Sequence, residues 1–310
     1  MYTAFFKLNE DPFRLNPDPK FLYLSKMHAR AKTYLDFAVW NRDGFVVITG
    51  EIGSGKTTVL NSVLTVLNRD VNIAKIHQTQ LDENQLLHSI LYEYGLKTKE
   101  TGKVNLINIL NNYLISQNQK NQKVLLVIDE AQNLSAKGLE ELRLLSGLET
   151  DSTKLINIIL VGQPELRDML DSSELEQLAQ RIRLRFHLKP LPKEEIKDYI
   201  LYRLKQAGSK NQELFEDEVF SYIYRYTGGI PRLINVLCDT ALIVAYADNL
   251  RVISVPVLKE AIKELQWVTY KRRKEKMRKE LTIQNHLKSK NLYEESVDST
   301  PLEVDLEKLN

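Results

Sequence analysis

Hydrophobic positions follow two regimes along this chain, and the switch between them lies near Pro190. From Phe45 onward, short and almost unbroken apolar runs alternate with segments of helical period. The apolar runs are Phe45–Thr49, Asn72–His77, Lys123–Ile128, Leu155–Gly162 and Arg185–Leu188, all of strand length. Between them the spacing predicts helices near Thr58–Leu67, Gln85–Tyr94, Asn105–Gln117 and Ala136–Leu148. Strands apolar on both faces, separated by amphipathic helices, predict an α/β fold: a parallel sheet covered by helices on each side, three layers in all. Beyond Pro190 the strands stop. Pro192–Ala207, Asp217–Tyr226, Pro231–Ala247 and Pro256–Trp267 read as helices, punctuated by Gly208, Gly228-Gly229 and Asp248-Asn249, which predicts a second, all-helical unit.

The two ends have different textures. The first 40 residues are a lead-in broken by Pro12, Pro17 and Pro19, after which Ser25 is placed to cap a helix running to about Trp40. From Tyr270 the chain turns charged: the run Lys271 to Lys279 carries seven basic residues and one acid, and Glu294 to Asn310 is acidic. Low hydropathy there predicts disorder, or folding on a partner. The expected division is a lead-in over 1–40, an α/β core over 41–189, a helical unit over 190–268 and a tail over 269–310.

Composition narrows the classes. With 43 Lys+Arg against 41 Asp+Glu, bulk charge does not single out a polyanion as the main partner. A single cysteine, Cys238, precludes an intramolecular disulfide and, in its apolar helical run, reads as a small core residue. The N-terminus lacks the basic flank and apolar stretch of a signal peptide, and no run reaches the roughly 18 apolar residues of a membrane span. The five histidines (28, 77, 88, 187 and 286) show no metal-ligand spacing. These features set the expectation of a soluble, cytoplasmic protein.

The chemistry concentrates in one run, Gly50-Glu51-Ile52-Gly53-Ser54-Gly55-Lys56-Thr57-Thr58. It fits G-x-x-x-x-G-K-[ST], and it has the flanking strand and helix that the motif requires. In such a loop, backbone N–H groups at a helix N-terminus wrap phosphates, and glycine lets the backbone approach closely. Lys56 is the candidate cation for the β and γ phosphates and Thr57 a candidate Mg²⁺ ligand. The run ending in Asp129-Glu130 supplies the complement, with Asp129 as a second candidate Mg²⁺ ligand and Glu130 as the group that orients or deprotonates an attacking water. Gln163, where the next strand ends, is a candidate sensor of the γ-phosphate or that water; a turn residue capping the following helix is the alternative. Arg181, Arg183 and Arg185 alternate just before and within the fifth strand. One of them can act as a finger into a neighbouring subunit's site, and a solvated basic edge is the alternative. Arg232 starts a helix of the second unit and can reach back to the nucleotide. The 271–279 run reads as a solvated helix end, a nucleic-acid contact or an attraction to an anionic membrane face.

These residues resemble a known family. Pro12-Phe13, Pro17 through Ser25, His28, Gly44 through Thr58, Asp129 through Leu134, Leu139 through Leu145, Gly162 through Leu166, Gln180-Arg-Ile182 and Gly229 through Asn235 are together similar to AAA+ ATPases of the ExeA/GspA (general secretion pathway protein A) type. The resemblance covers about residues 1–268. It implies a P-loop AAA+ sheet with a helical lid, ATP and Mg²⁺ as ligands, and assembly into a ring or filament. It places Lys56 and Thr57 in the Walker A motif, Asp129 and Glu130 in Walker B, Arg181 as the interface arginine and Arg232 as the sensor-2 arginine. It sets the lead-in beside the adenine. Gly147 stands where similar proteins more often carry Asn, which would weaken the helix end there. Longer members of the type continue into a membrane span and a periplasmic peptidoglycan-binding domain, so the expectation here is a short cytoplasmic form, peripheral at most to the inner membrane. The function so implied is Mg-dependent ATP hydrolysis serving a cell-envelope secretion, pilus or exopolysaccharide system. A DNA-associated AAA+ ATPase regulating transposition, and a nucleotide-dependent scaffold with negligible turnover, remain as alternatives.

Overall fold

In the computed structural model, residues 1–279 are described apart from 42–44, 68–70, 78, 151–152, 212 and 278. The acidic end expected to be disordered lies outside the described residues. Strands β1 (Phe45–Gly50), β2 (Val71–Ile76), β3 (Lys123–Ile128), β4 (Asn157–Gly162) and β5 (Ile182–Leu188) form one sheet in the order β2-β3-β4-β1-β5. Every pairing is parallel. The helices are α1 (Tyr2–Phe5), α2 (Lys26–Asn41), α3 (Lys56–Leu67), α4 (Glu83–Glu93), α5 (Lys103–Gln119) and α6 (Ala136–Leu145), followed by α7 (Pro164–Leu170), α8 (Glu176–Arg181), α9 (Ile196–Gln206), α10 (Asp217–Thr227), α11 (Pro231–Ala247) and α12 (Val255–Glu264).

The strand alternation predicts the layers directly. In β1, Phe45 and Val47 enter one core with Leu86, Leu110 and Leu142, while Val46 and Ile48 enter the opposite core with Leu35, Leu60 and Val63. A strand with both faces buried has no polar side to present, hence its unbroken apolar run. Local signals set the helix starts. Asp82 and Gln85 make a capping box at α4, the Ser135 hydroxyl accepts from the Gly138 amide at α6, and Ser25 Oγ accepts from the His28 amide at 3.2 Å to open α2.

The sequence missed α8, whose six residues carry too little period to read. It also placed three arginines in regular alternation. Instead Arg181 ends α8, and the β1–β5 register shifts so that Phe45 faces Ile182 and Val46 faces Leu184. Arg183 is the extra residue of that bulge, yet Arg183 and Arg185 are both exposed on β5, so only Arg181 departs from the expected alternation.

A third core joins the lead-in to the helical unit. Phe6, Leu8, Phe13 and Phe21 pack with Ile196, Ile200, Ile223, Leu237 and Cys238, so the cysteine is the core residue expected of it. Arg203 on α9, 7 % exposed, fastens this seam: its Nε donates to the Pro12 carbonyl at 2.6 Å and its Nη2 to the Arg14 carbonyl at 3.2 Å. Lead-in and helical unit therefore share one hydrophobic interior.

The turn between α10 and α11 is equally constrained. Gly228 and Gly229 have φ of 61° and 79°, and a Cβ on Gly229 would run into the Leu191 carbonyl. Gly95, at the end of α4, has φ of 76° but open space around it. Gly229→Ala is expected to cost about 3 kcal/mol of stability and Gly95→Ala about 1 kcal/mol, measured by denaturant unfolding of the two variants against the parent. Equal costs would mean that the Leu191 contact is not a constraint.

Candidate nucleotide site

The loop between β1 and α3 folds back on its own lysine. Lys56 Nζ donates to the carbonyls of Gly50 at 2.8 Å and Glu51 at 3.2 Å, and the residue is 7 % exposed. Burial pulls its ammonium below the usual lysine range, against the opposing charges of Glu130 and Asp129. Gly53 and Gly55 sit at φ of 78° and 96°. A Cβ on Gly53 would lie 2.5 Å from Arg232 Cβ, and one on Gly55 2.9 Å from His28 Nε2. The glycines are thus required by backbone angle and by neighbours together.

His28 supports the loop from beneath. Its ring bonds the Ser25 hydroxyl at 2.6 Å through Nδ1 and the Ser54 carbonyl at 3.0 Å through Nε2. Burial holds its pKa below the ordinary histidine value, in part offset by the Ser54 bond. The Ser54 hydroxyl is buried and has no hydrogen-bond partner among the described residues.

At the neighbouring strand ends, the Thr57 hydroxyl donates to Asp129 Oδ2 at 3.3 Å, so two oxygen donors already meet at one point. Lys75 Nζ and His77 Nδ1 stand 4.0 and 3.8 Å from the same carboxylate oxygen. Glu130 adopts a left-handed backbone, φ 54°, with its carbonyl accepting from the Thr79 hydroxyl at 3.0 Å. Its Oε2 accepts from Gln132 Nε2 at 2.7 Å and Gln163 Nε2 at 3.0 Å, and Gln132 Oε1 in turn accepts from the Gln163 amide at 3.0 Å. Burial alone would raise the Glu130 carboxyl, but both side-chain amides and the Lys56 charge overcome it and hold the pKa below the usual range.

Arg232, at the start of α11, gives its backbone amide to the Gly53 carbonyl at 3.2 Å and is exposed. A cleft open to solvent runs from the loop past Pro231 and Arg232 into the seam of lead-in and helical unit, where Arg14, Phe21, Tyr199, Arg203 and Asn235 line it. There Phe21 has the Arg14 and Arg203 guanidinium carbons 4.6 and 5.1 Å from its ring centre, and the Tyr199 hydroxyl lies 2.7 Å from the Asn235 amide.

The structure therefore brings together Lys56, Thr57, Asp129, Glu130 and Gln163, with Arg232 across the cleft. It does not bring Arg181 to them. Arg181 Nη1 donates to the Arg143 carbonyl and the Ser146 hydroxyl, each at 3.1 Å, at the end of α6. Gly147 leaves room for it, since a Cβ there would meet Arg181 Nη1 at 3.1 Å. Arg185 pairs with Asp171.

These parts fit a nucleoside polyphosphate with a hard divalent ion. The loop offers a buried ammonium on weak carbonyl partners, an orphaned hydroxyl and glycines that keep side chains out. Thr57 and Asp129 give an oxygen-only donor pair, which suits Mg²⁺ with phosphate oxygens and water completing its shell.

Residues 41–170 match the AAA domain family. The chain carries an AAA domain. Its sequence is 43 % identical to General secretion pathway protein A of Aeromonas hydrophila over 248 residues, 80 % of this chain and 45 % of that protein. The resemblance to the ExeA/GspA type drawn from the motifs is borne out, although the chain spans less than half of that relative's length. Solved structures agree on the fold. Cdc6p from Pyrobaculum aerophilum superposes with a TM-score of 0.65 at 16 % identity, covering 83 % of this chain and 71 % of that one. The Aeropyrum pernix ORC2 protein in ADPNP and ADP complexes gives 0.61 at 17 %, covering 83 % and 72 %. Drosophila ORC bound to DNA gives 0.62 at 16 %, covering 86 % and 66 %. Among the described residues no helix is long and apolar enough to cross a membrane.

Sequence reasoning gave no role to Gln132 or His28, and it set the lead-in beside the nucleotide without naming Arg14, Phe21, Tyr199, Arg203 or Asn235 at the far end of the cleft. The Ser25-x-x-His28 spacing carried a signal for His28, because a capping serine and the residue three on share one turn. Gln132 turns toward Glu130 only because Ala131–Asn133 form a 3-10 turn.

His28 gives a pH prediction. Its folded pKa lies below the unfolded value, so the unfolded chain takes up the extra proton first. The stability it contributes is full above the unfolded value of about 6.5 and is lost as pH falls through the folded pKa. Unfolding free energy measured between pH 8 and pH 5 is expected to fall more steeply for the parent than for His28→Gln. Parallel curves would exclude a buried neutral His28.

Proposed function

We propose that the chain is an ATPase that binds ATP with Mg²⁺ at this loop and hydrolyses it to energise or regulate a cell-envelope assembly system, of the secretion, pilus or exopolysaccharide kind. The supporting observation is the convergence of Lys56, Thr57, Asp129 and Glu130 at the C-terminal ends of β1 and β3. That end is where ligands bind in open parallel sheets. Assignment to an envelope system is supported by the similarity to General secretion pathway protein A. On this reading the protein is cytoplasmic and acts against the inner face of the membrane.

Each side chain has a task set by its surroundings. Lys56 exchanges the Gly50 and Glu51 carbonyls for phosphate oxygens, stronger partners for an ammonium. Loop amides from Glu51 to Thr58 wrap the phosphates at the N-terminus of α3. Thr57 and Asp129 hold the metal. Mg²⁺, when bound, supplies neutralisation of phosphate charge. Glu130, kept ionised and aimed by Gln132 and Gln163, orients the attacking water and accepts its proton. Gln163 links that carboxylate to the end of β4. Arg232 carries the helical unit onto the phosphates from across the cleft.

Arg181 is assigned to a shared site in a ring or filament of this chain. Among the described residues its partners at the end of α6 are a neutral carbonyl and a hydroxyl, which fix the guanidinium and leave its charge for a neighbour's phosphates.

The test is nucleotide affinity and turnover of purified protein with Mg²⁺. Lys56→Ala is expected to lose binding. Glu130→Gln is expected to bind as the parent does and to turn over at least about 100-fold more slowly. Parent-like turnover by Glu130→Gln would overturn the assignment. Mixing Lys56→Ala with Arg181→Ala subunits should restore part of the activity if the site is shared. ATPase activity stimulated by DNA and abolished by moderate salt would move the biological role to the DNA-associated alternative.

A further inference from the structure

The basic run after the helical unit does not project into solvent as a uniform charged helix. Residues 270–277 are helical and present two faces. Lys271, Arg272, Glu275 and Lys276 are exposed, whereas Tyr270, Arg273 and Lys274 turn inward at helical spacing.

Each inward residue meets the machinery around the nucleotide loop. The Tyr270 ring lies against Gly228 so closely that a Cβ on that glycine would overlap it. Arg273 donates to the Tyr226 carbonyl and stacks 4.4 Å from the Trp267 ring centre. Lys274 Nζ pairs with Glu51 Oε1 at 3.1 Å. Glu51 is the second residue of the phosphate loop, and its carboxylate acts on both Lys56 and Tyr270. The helix thus bridges the turn that launches α11 toward the loop and the loop itself.

We propose that residues 267–277 are a strap that links nucleotide occupancy to the docking of the chain's C-terminal segment, through the pair Lys274–Glu51. This rests on the reading of the loop as a nucleotide site. The sign follows from charge. An unpaired Glu51 carboxylate beside incoming phosphates opposes binding, and Lys274 neutralises it when the strap is docked. A docked strap therefore favours nucleotide, and by reciprocity bound nucleotide favours the docked strap. Whatever pulls the segment after residue 279 away from the body weakens nucleotide binding.

A charge cycle tests this with a fluorescent ATP analogue and full-length protein. Lys274→Ala is expected to weaken the analogue about three- to fivefold, the scale of a partly exposed ion pair. Adding Glu51→Gln to Lys274→Ala should return affinity to the parent's, because the opposing charge is gone. Tyr270→Ala, which removes the packing on Gly228 and leaves both partners of the Lys274–Glu51 pair in place, should weaken affinity by undocking the strap. Nucleotide should also slow tryptic cleavage at Lys271 and Arg272 in the parent and fail to do so in Lys274→Ala. Binding that depends on Lys56 but is indifferent to Lys274 and Tyr270 would overturn the strap and leave the nucleotide site intact. A weakening by Lys274→Ala that Glu51→Gln does not reverse would overturn the charge linkage. A parent protein that binds no nucleotide overturns both.

Discussion

A buried ammonium has to be balanced, and the architecture around Lys56 is arranged by that requirement. An isolated lysine at this depth would give up its proton, because moving a charge out of water without partners is very unfavourable. Here two backbone carbonyls take the hydrogen bonds, while Asp129 and Glu130 supply the opposing charge from a strand end two places away in the sheet. The carbonyls are available only because the loop curls tightly, and it can curl tightly only with glycine at 53 and 55. The acids are at the right height only because β1, β3 and β4 run parallel and in register. One electrostatic demand thus couples loop, sheet and acidic strand end.

The same demand reaches the helical unit. Gly53 presses on Arg232, Glu51 on Lys274, and Gly55 on His28 at the base of the lead-in. The lead-in is in turn stitched by Arg203 into the core of the helical unit. A change in what Lys56 holds therefore acts on a loop whose contacts include α11, the helix over residues 270–277 and the lead-in. Arg232 and Lys274 carry the contacts with α11 and with the helix over residues 270–277, and on the proposed reading the helical unit responds through them to what the loop contains.

Much of this was legible in the chain because the signals are local. Glycine spacing before Lys56, the apolar run ending at Asp129-Glu130, and the proline starts of α11 and α12 each sit within a few residues of what they specify. Gln163 at the end of β4 was legible for the same reason. What escaped reading depends on contacts far apart in sequence or on irregular backbone. Gln132 acts through a short turn, Arg181 through the end of α6, and Phe21 and Arg203 through a seam that joins the first residues to α9. Of the alternating Arg181, Arg183 and Arg185, the last two share the exposed face of β5, whereas Arg181 departs because it ends α8, a helix too short to read.

On the proposed reading, Lys56 and its loop are a preformed phosphate cradle held shut by the protein's own carbonyls. A structure determined with Mg²⁺ and a non-hydrolysable ATP analogue addresses it most directly. Lys56 Nζ is then expected to leave Gly50 and Glu51 for phosphate oxygens, with Thr57 and Asp129 flanking the metal and the glycine backbone angles unchanged. An analogue bound elsewhere, with Lys56 still on the Gly50 carbonyl, would contradict it.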